Sequence, residues 1–184
     1  MDYYNTYVPV AKLTSIRTIL SISAHNGWPI DMFNFTSTFL NLDFDAQEEI
    51  FMEQPPGYKE KDQHKYVVKL FKVIYGLKQA GRRWYETLFQ TLAELGFQKS
   101  KANPAVFYIH QDNLIILLAI HVDDCMITGS NRKILNHYKF KIEARYKLKD
   151  LGPINWLLRI KIMHDLTKCT ISLSQTSYIN SILT

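Results

Sequence analysis

The amino-acid sequence predicts an α+β fold, an antiparallel sheet with helices on one face. Three observations predict it. Runs rich in aromatic and β-branched residues, such as IDMFNFTSTFL from residue 30 and LIILLAIHV from residue 114, have the length and composition of strands. Several other stretches carry apolar residues at helical spacing. The two signals alternate in the rough order strand, helix, strand, strand, helix, strand, which is the order of an α+β sheet.

Taken in order, SIRTILSISAHNGW opens on Ser15 as a cap and stops at Asn26-Gly27, predicting a helix over 15–24. IDMFNFTSTFL predicts a strand over 30–40, and EEIFMEQPPGY a short strand ended by Pro-Pro-Gly. KYVVKLFKVIYG reads as a strand with Lys65 and Lys69 interleaved. A helix runs from Gln79 to Leu95: Trp84, Leu88 and Leu92 recur every fourth residue, Tyr85 and Phe89 widen the stripe, and Gly96 stops it. AVFYIHQDNLIILLAIHV is a hairpin turning at Gln-Asp-Asn, and CMITG continues the sheet. Asn131 to about Tyr146 is another helix, and INWLLRIKIM and TISLSQ are later strands.

At 184 residues the chain is one domain with room for a sizeable core. Hydrophobic residues at 47% and charged residues at 21% exclude a disordered chain. The formal net charge of +5 is compatible with a polyanionic partner. Cys125 and Cys169 lack metal-ligand spacing and point to a reduced, intracellular setting. The N-terminus has no apolar signal segment, and no apolar run approaches the roughly 20 residues of a membrane span, so no membrane partner is expected.

The stretch LIILLAIHVDDCMITGS sets Asp123 and Asp124 side by side between two apolar runs. Aspartate favours turns, and a plain turn accounts for the pair. Yet hairpin turns usually prefer Asp-Gly or Asn-Gly, and adjacent carboxylates repel. A divalent cation would relieve the repulsion. Two Mg²⁺ ions about 4 Å apart, clamped by carboxylates, serve nucleotidyl transfer. Such a site needs a further carboxylate from another strand.

HVDD at 121–124 resembles the YVDD box of reverse transcriptases, and YGLKQAGRRWY at 75–85 resembles the YGLKQAPRAWY block of copia-type long-terminal-repeat retrotransposon polymerases. YVPVAKLTSIR, EEIFMEQPPGY, LKDLGPINWLLRIKI and LSQTSYI are similar to blocks of the same family in the same order, over nearly the whole chain. The resemblance implies a polymerase palm, a split βαβ, ferredoxin-like antiparallel sheet, with part of the fingers. Residues 1–184 would be a single fingers and palm fragment. The family's Lys/Arg-rich N-terminal fingers segment, its thumb and its RNase H domain would be absent, as would the rest of the polyprotein. The implied activity is RNA-directed DNA synthesis with Mg²⁺ or Mn²⁺ as cofactor, and the implied partners are an RNA or DNA template-primer and deoxynucleoside triphosphates.

Residue by residue, the resemblance makes Asp123 and Asp124 the paired metal-binding carboxylates. Gly76 and Gln79 fall on the block lying against nucleotide and template. Phe39 matches the aromatic that crowds the sugar 2′ position, although a core Phe at a strand end explains it equally well. Lys78, Arg82 and Arg83 crowd the start of a helix, where cations oppose the helix dipole, so a nearby phosphate would satisfy both. A solvated basic turn is the bland alternative.

The sequence also departs from the family. Asn34 stands where the first catalytic aspartate belongs, and Asp31, three residues away on a strand, should face the other side of the sheet. Asp43 and Asp45 follow the strand. His121, among the nucleotide-contacting positions, stands in place of Tyr; Gly81 replaces Pro, Arg83 a small residue, Arg159 a Gly, with a charge awkward to bury beside Leu157, Leu158 and Ile160, and Lys161 an acidic residue. The expectation is an impaired polymerase, with a non-catalytic nucleic-acid-binding remnant or a decayed fragment without function as alternatives.

Overall fold

The computed structural model describes residues 8–36, 42, 49–58, 66–78 and 80–183. In chain order the elements are α1 (Leu13–His25), β1 (Ile30–Phe35), β2 (Phe51–Glu53), β3 (Val67–Lys69), α2 (Ala80–Glu94), β4 (Gln98–Lys99), β5 (Val106–Gln111), β6 (Leu114–His121), β7 (Asp124–Gly129), α3 (Arg132–Glu143), β8 (Leu148–Pro153), β9 (Trp156–Leu157), β10 (Ile160–Asp165), β11 (Thr170–Ser174) and α4 (Thr176–Leu183). This is a mixed α+β chain with antiparallel sheets. It divides into two compact units, one of residues 1–7 and 37–86 and the other of residues 8–36 and 87–184.

The smaller unit carries the β2–β3 ladder, in which Phe51 pairs with Lys69 and Glu53 with Val67. The strand expected over 65–76 therefore shrinks to three residues, followed by a turn in which Gly76 takes φ +93°.

The larger unit is built on a six-stranded antiparallel sheet in the order β4-β5-β6-β7-β1-β8. Alternation sorts its side chains. Phe33, Phe35, Phe107, Ile116, Leu118, Cys125 and Ile127 share one face, as their register partners require. Against that face lie α3 and the second half of α2: Phe89 meets Phe107 at 6.2 Å between ring centroids, and Phe35 meets Tyr146 at 5.5 Å. Leu88, Leu92, Leu135 and Ile142 are fully buried. The expected stripe of α2 is thus correct, and Gly96 ends it at φ +91°.

The opposite face, with Ile30, Met32, Ala119 and Met126, packs with Ile16, Ile19 and Leu20 of α1 and with Leu157, Ile160 and Ile162 of the β9–β10–β11 sheet. Ser23 Oγ lies 2.9 Å from Thr128 Oγ1, linking α1 to β7. The expectation of helices on one face is corrected here. A helical stripe shows that a helix is buried but not on which side of a sheet. Ser15 is likewise no cap. It lies inside α1, and its Oγ accepts a hydrogen bond of 3.0 Å from Asn103 Nδ2. Asn131 does cap α3, accepting from the Lys133 N–H at 2.8 Å.

INWLLRIKIM is not one strand. It folds back at Leu158-Arg159, with φ values of +51° and +64°. Arg159 is exposed, so its side chain escapes burial, and its cost is instead a backbone conformation that favours glycine.

Candidate active site

The acidic stretch turns more tightly than its sequence suggests. β6 ends at His121 and β7 begins at Asp124, with His121 and Asp124 paired across the ladder, so the turn is Val122-Asp123 alone. Val122 takes φ +60° and is 47% exposed. A β-branched residue in this region costs on the order of 1–3 kcal/mol and persists only where its surroundings enforce it. The enforcement is visible: the Phe35 N–H donates to the Asp123 carbonyl at 3.0 Å, pinning the turn to the end of β1.

Asn34 is the register partner of Asp124. Its Nδ2 donates to Asp124 Oδ1 at 3.0 Å. The two therefore share a face with Ile30, Met32 and Met126, at the end of the sheet beside the segment leading into α1. His121 lies on the same face, its Nδ1 3.4 Å from the Ala11 carbonyl oxygen, where an Nδ1–H would donate a long hydrogen bond. Beneath the turn, burial first and then the charges of Asp124 and Asp123 push the Cys125 thiol well above its ordinary range, which leaves it an inert core group.

Asp31 behaves as alternation requires. It is buried on the other face, where it accepts from Arg132 at 2.7 Å and Lys139 at 2.9 Å, and it takes no part in the acidic site. Lys149, which sequence reasoning passed over, is the register partner of Asn34 on its other side and so shares the Asn34–Asp124 face. The signal was present only in the pairing: LKDLGP does not read as a strand, yet it forms β8.

Of the remaining candidates, Gly76, Lys78, Arg82 and Arg83 belong to the smaller unit, and Asp123, Asp124, Asn34 and His121 to the larger. Arg82 and Arg83 fall in the first turn of α2, as expected, and Arg82 Nε donates to Glu86 Oε1 at 2.7 Å within the helix. Phe39, Gln79, Asp43, Asp45 and Lys65 lie outside the described residues.

A cation clamped in this turn would need carboxylates converging from two strands. Among the described residues, no group of three or more His, Cys, Asp or Glu side chains is placed to hold a metal ion. The side chain from β1 is an amide whose NH₂ already occupies an Asp124 lone pair. The donor set does not fit a three-carboxylate cation clamp.

A family model described as reverse transcriptase (RNA-dependent DNA polymerase) matches residues 1–184. The chain belongs to that family. Its curated relatives place this reverse transcriptase domain among the copia-type Pol polyproteins. It is 34% identical to a retrovirus-related Pol polyprotein from transposon RE1 of Arabidopsis thaliana, over 100% of this chain and 12% of the relative. It is 36% identical to the corresponding polyprotein from transposon TNT 1-94 of Nicotiana tabacum, over 100% of this chain and 14% of the relative. A putative transposon Ty5-1 protein of Saccharomyces cerevisiae is 32% identical over 78% of this chain and 46% of its own length. The reverse transcriptase domain thus spans about an eighth of the plant polyproteins it matches. No solved structure matches it. No described helix is long and apolar enough to cross a membrane.

Proposed function

We propose that the six-stranded sheet is the palm of an RNA-directed DNA polymerase, that the smaller unit is part of its fingers, and that nucleotidyl transfer is impaired at Asn34. Reverse transcriptases of this family use divalent metal ions. In this reading Asp123 and Asp124 are the carboxylates that would hold Mg²⁺ or Mn²⁺. By the family resemblance, Gly76, Gln79, Phe39 and His121 would serve the nucleotide, and Lys78, Arg82 and Arg83 would serve phosphates of a template-primer. The observation that carries the impairment is the hydrogen bond from Asn34 Nδ2 to Asp124 Oδ1 at 3.0 Å. It satisfies a carboxylate that in a working site would need a cation, and it supplies a neutral group in place of a charge.

Template-primed incorporation of deoxynucleotides with Mg²⁺ or Mn²⁺ tests the proposal, comparing the chain with Asn34→Asp. The parent chain should extend a primer poorly or not at all, and Asn34→Asp should raise extension by tenfold or more, on the order of one well-placed charge. Robust extension by the parent would overturn the impairment. Failure of both chains would leave a nucleic-acid-binding remnant or a decayed fragment, which salt-dependent binding of a primer–template separates.

A further inference from the structure

From Arg132 to Asp150 the chain carries seven lysines and arginines against two carboxylates, Glu143 and Asp150. That surplus of five equals the formal net charge of the whole chain, +5. The rest of the sequence is electrically balanced, so the basicity of the protein is the property of this one segment, all of it described and all of it in the larger unit.

Three of the seven cations serve the fold. Arg132 and Lys139 hold buried Asp31, Lys139 also holds Asp150, and Arg145 pairs with Glu94 at 3.3 Å. Lys133, Lys141, Lys147 and Lys149 have no carboxylate partner among the described residues. Lys133, His137 and Lys141 recur every fourth residue on the side of α3 away from buried Leu135 and Ile142, forming a stripe about 12 Å long. Lys141 Nζ lies 5.2 Å from the Tyr138 ring, which fixes its stem without neutralising its charge. Lys147 and Lys149 are exposed on or beside β8, the edge strand of the sheet, and Lys149 lies opposite Asn34. The band therefore runs along α3 and round the open edge towards the face of Asp124. Lysines on an edge strand deter pairing with other chains. That accounts for Lys147 and Lys149 but not for the stripe on α3.

We propose that this band, made of residues other than Lys78, Arg82 and Arg83 and lying wholly within the larger unit, grips the phosphodiester backbone of a nucleic acid. A row of unneutralised cations matches a linear polyanion, and binding by phosphates alone is independent of sequence and steeply dependent on salt. The choice of nucleic acid rests on the family reading; the band itself rests on charge and placement.

The test is binding of a fluorescent RNA–DNA hybrid by the full chain between about 50 and 200 mM salt. It compares the parent, Lys133→Gln/Lys141→Gln/Lys147→Gln/Lys149→Gln and Lys78→Gln/Arg82→Gln/Arg83→Gln. The quadruple variant should bind at least tenfold more weakly at low salt, with a slope of log affinity on log salt shallower by about 3.6, at roughly 0.9 per phosphate lost. The triple variant should lose less. If the quadruple variant melts early, the two paired variants, Lys133→Gln/Lys141→Gln and Lys147→Gln/Lys149→Gln, should each show about half the slope change. Affinity of the quadruple variant within twofold of the parent, or no binding by the parent, overturns the proposal. Equal binding of polyglutamate by the parent, lost in the same variant, would overturn it in favour of an acidic protein. None of these outcomes depends on polymerisation, so impaired catalysis and a missing grip are read separately.

Discussion

Two polar residues three positions apart on β1 meet opposite fates. Asp31 is buried with 3% of its side chain exposed, and it is held by two cations from α3. Asn34 sits at the strand end on the other face, half-buried, and gives a single hydrogen bond to Asp124. Asp31 is a charge that the fold has neutralised; Asn34 is a neutral group where a charge would need neutralising from outside. A carboxylate on β1 is therefore stable on one face because lysine and arginine come with it, and on the other it would wait for a metal ion. The same strand shows the difference between a structural carboxylate and the position proposed for catalysis.

The comparison breaks most severely at Asp31. Asp31→Ala leaves Lys139 buried beside a missing partner and should destabilise the larger unit by about 3–5 kcal/mol. Chemical denaturation measures it, and a loss below about 1 kcal/mol would show that Asp150 alone satisfies Lys139. The effect of Asn34→Asp on stability should be smaller. It sets two carboxylates opposite each other and removes a hydrogen bond to a charged group, a loss of about 1–3 kcal/mol. Mn²⁺ should restore much of this in the variant while leaving the melting of the parent unchanged. A parent that gains equally from Mn²⁺ would show that two aspartates suffice to bind the ion.

Smaller still is the strain in the two tight turns. Val122→Gly and Arg159→Gly each release a non-glycine residue from positive φ and should stabilise by up to about 1 kcal/mol, less the entropy glycine adds to the unfolded chain. Equal gains would mean that both turns are merely strained. A gain at Arg159 with none at Val122 would show that the Phe35 N–H bond already stabilises the acidic turn.

The smallest effect is electrostatic. Burial holds the His164 imidazole below its ordinary value, only partly opposed by Asp165, and its Nε2 has no partner among the described residues. A depressed histidine favours the folded state while neutral. That stability is present above the unfolded value, about pH 6.5, and is lost as the pH falls towards the folded value. His164→Gln should flatten the decline in melting temperature between about pH 6.5 and 5. An unchanged decline would shift the cause to other groups. Asp150 acts at lower pH. Burial raises its carboxyl, but the Lys139 ammonium, the Gly152 N–H and the charge of Arg132 outweigh it and hold it below the ordinary value. Its contribution is present above about pH 3.9 and fades as the pH falls through the carboxylate range.

The parts of this fold that periodicity reveals are those buried on a clear stripe: α2 through Trp84, Leu88 and Leu92, the β5–β6 hairpin, and α3 with its Asn131 cap. β8 was hidden because it pairs on one side only and carries Lys149, Asp150 and Gly152, which read as a loop. The β9–β10 hairpin was hidden because Leu158-Arg159 occupies a turn that normally announces itself with Asn-Gly. The position of Asn34 was legible through family resemblance, and the orientation of Asp31 through strand alternation. The Asn34–Asp124 bond, the Val122-Asp123 turn and the place of Lys149 beside them depend on strand register, which one sequence does not disclose.

The acidic turn also acts as the reading frame of the sheet. With only two residues between His121 and Asp124, it has none to spare. Deleting Val122 or Asp123 would force β7 to slip by one residue. That would bring Cys125 and Ile127 to the face of Asn34 and turn Asp124 into the apolar layer beside Phe33. A one-residue deletion here would thus be equivalent to repainting every side chain of β7, and substitution is the mild form of change that this corner of the molecule can absorb.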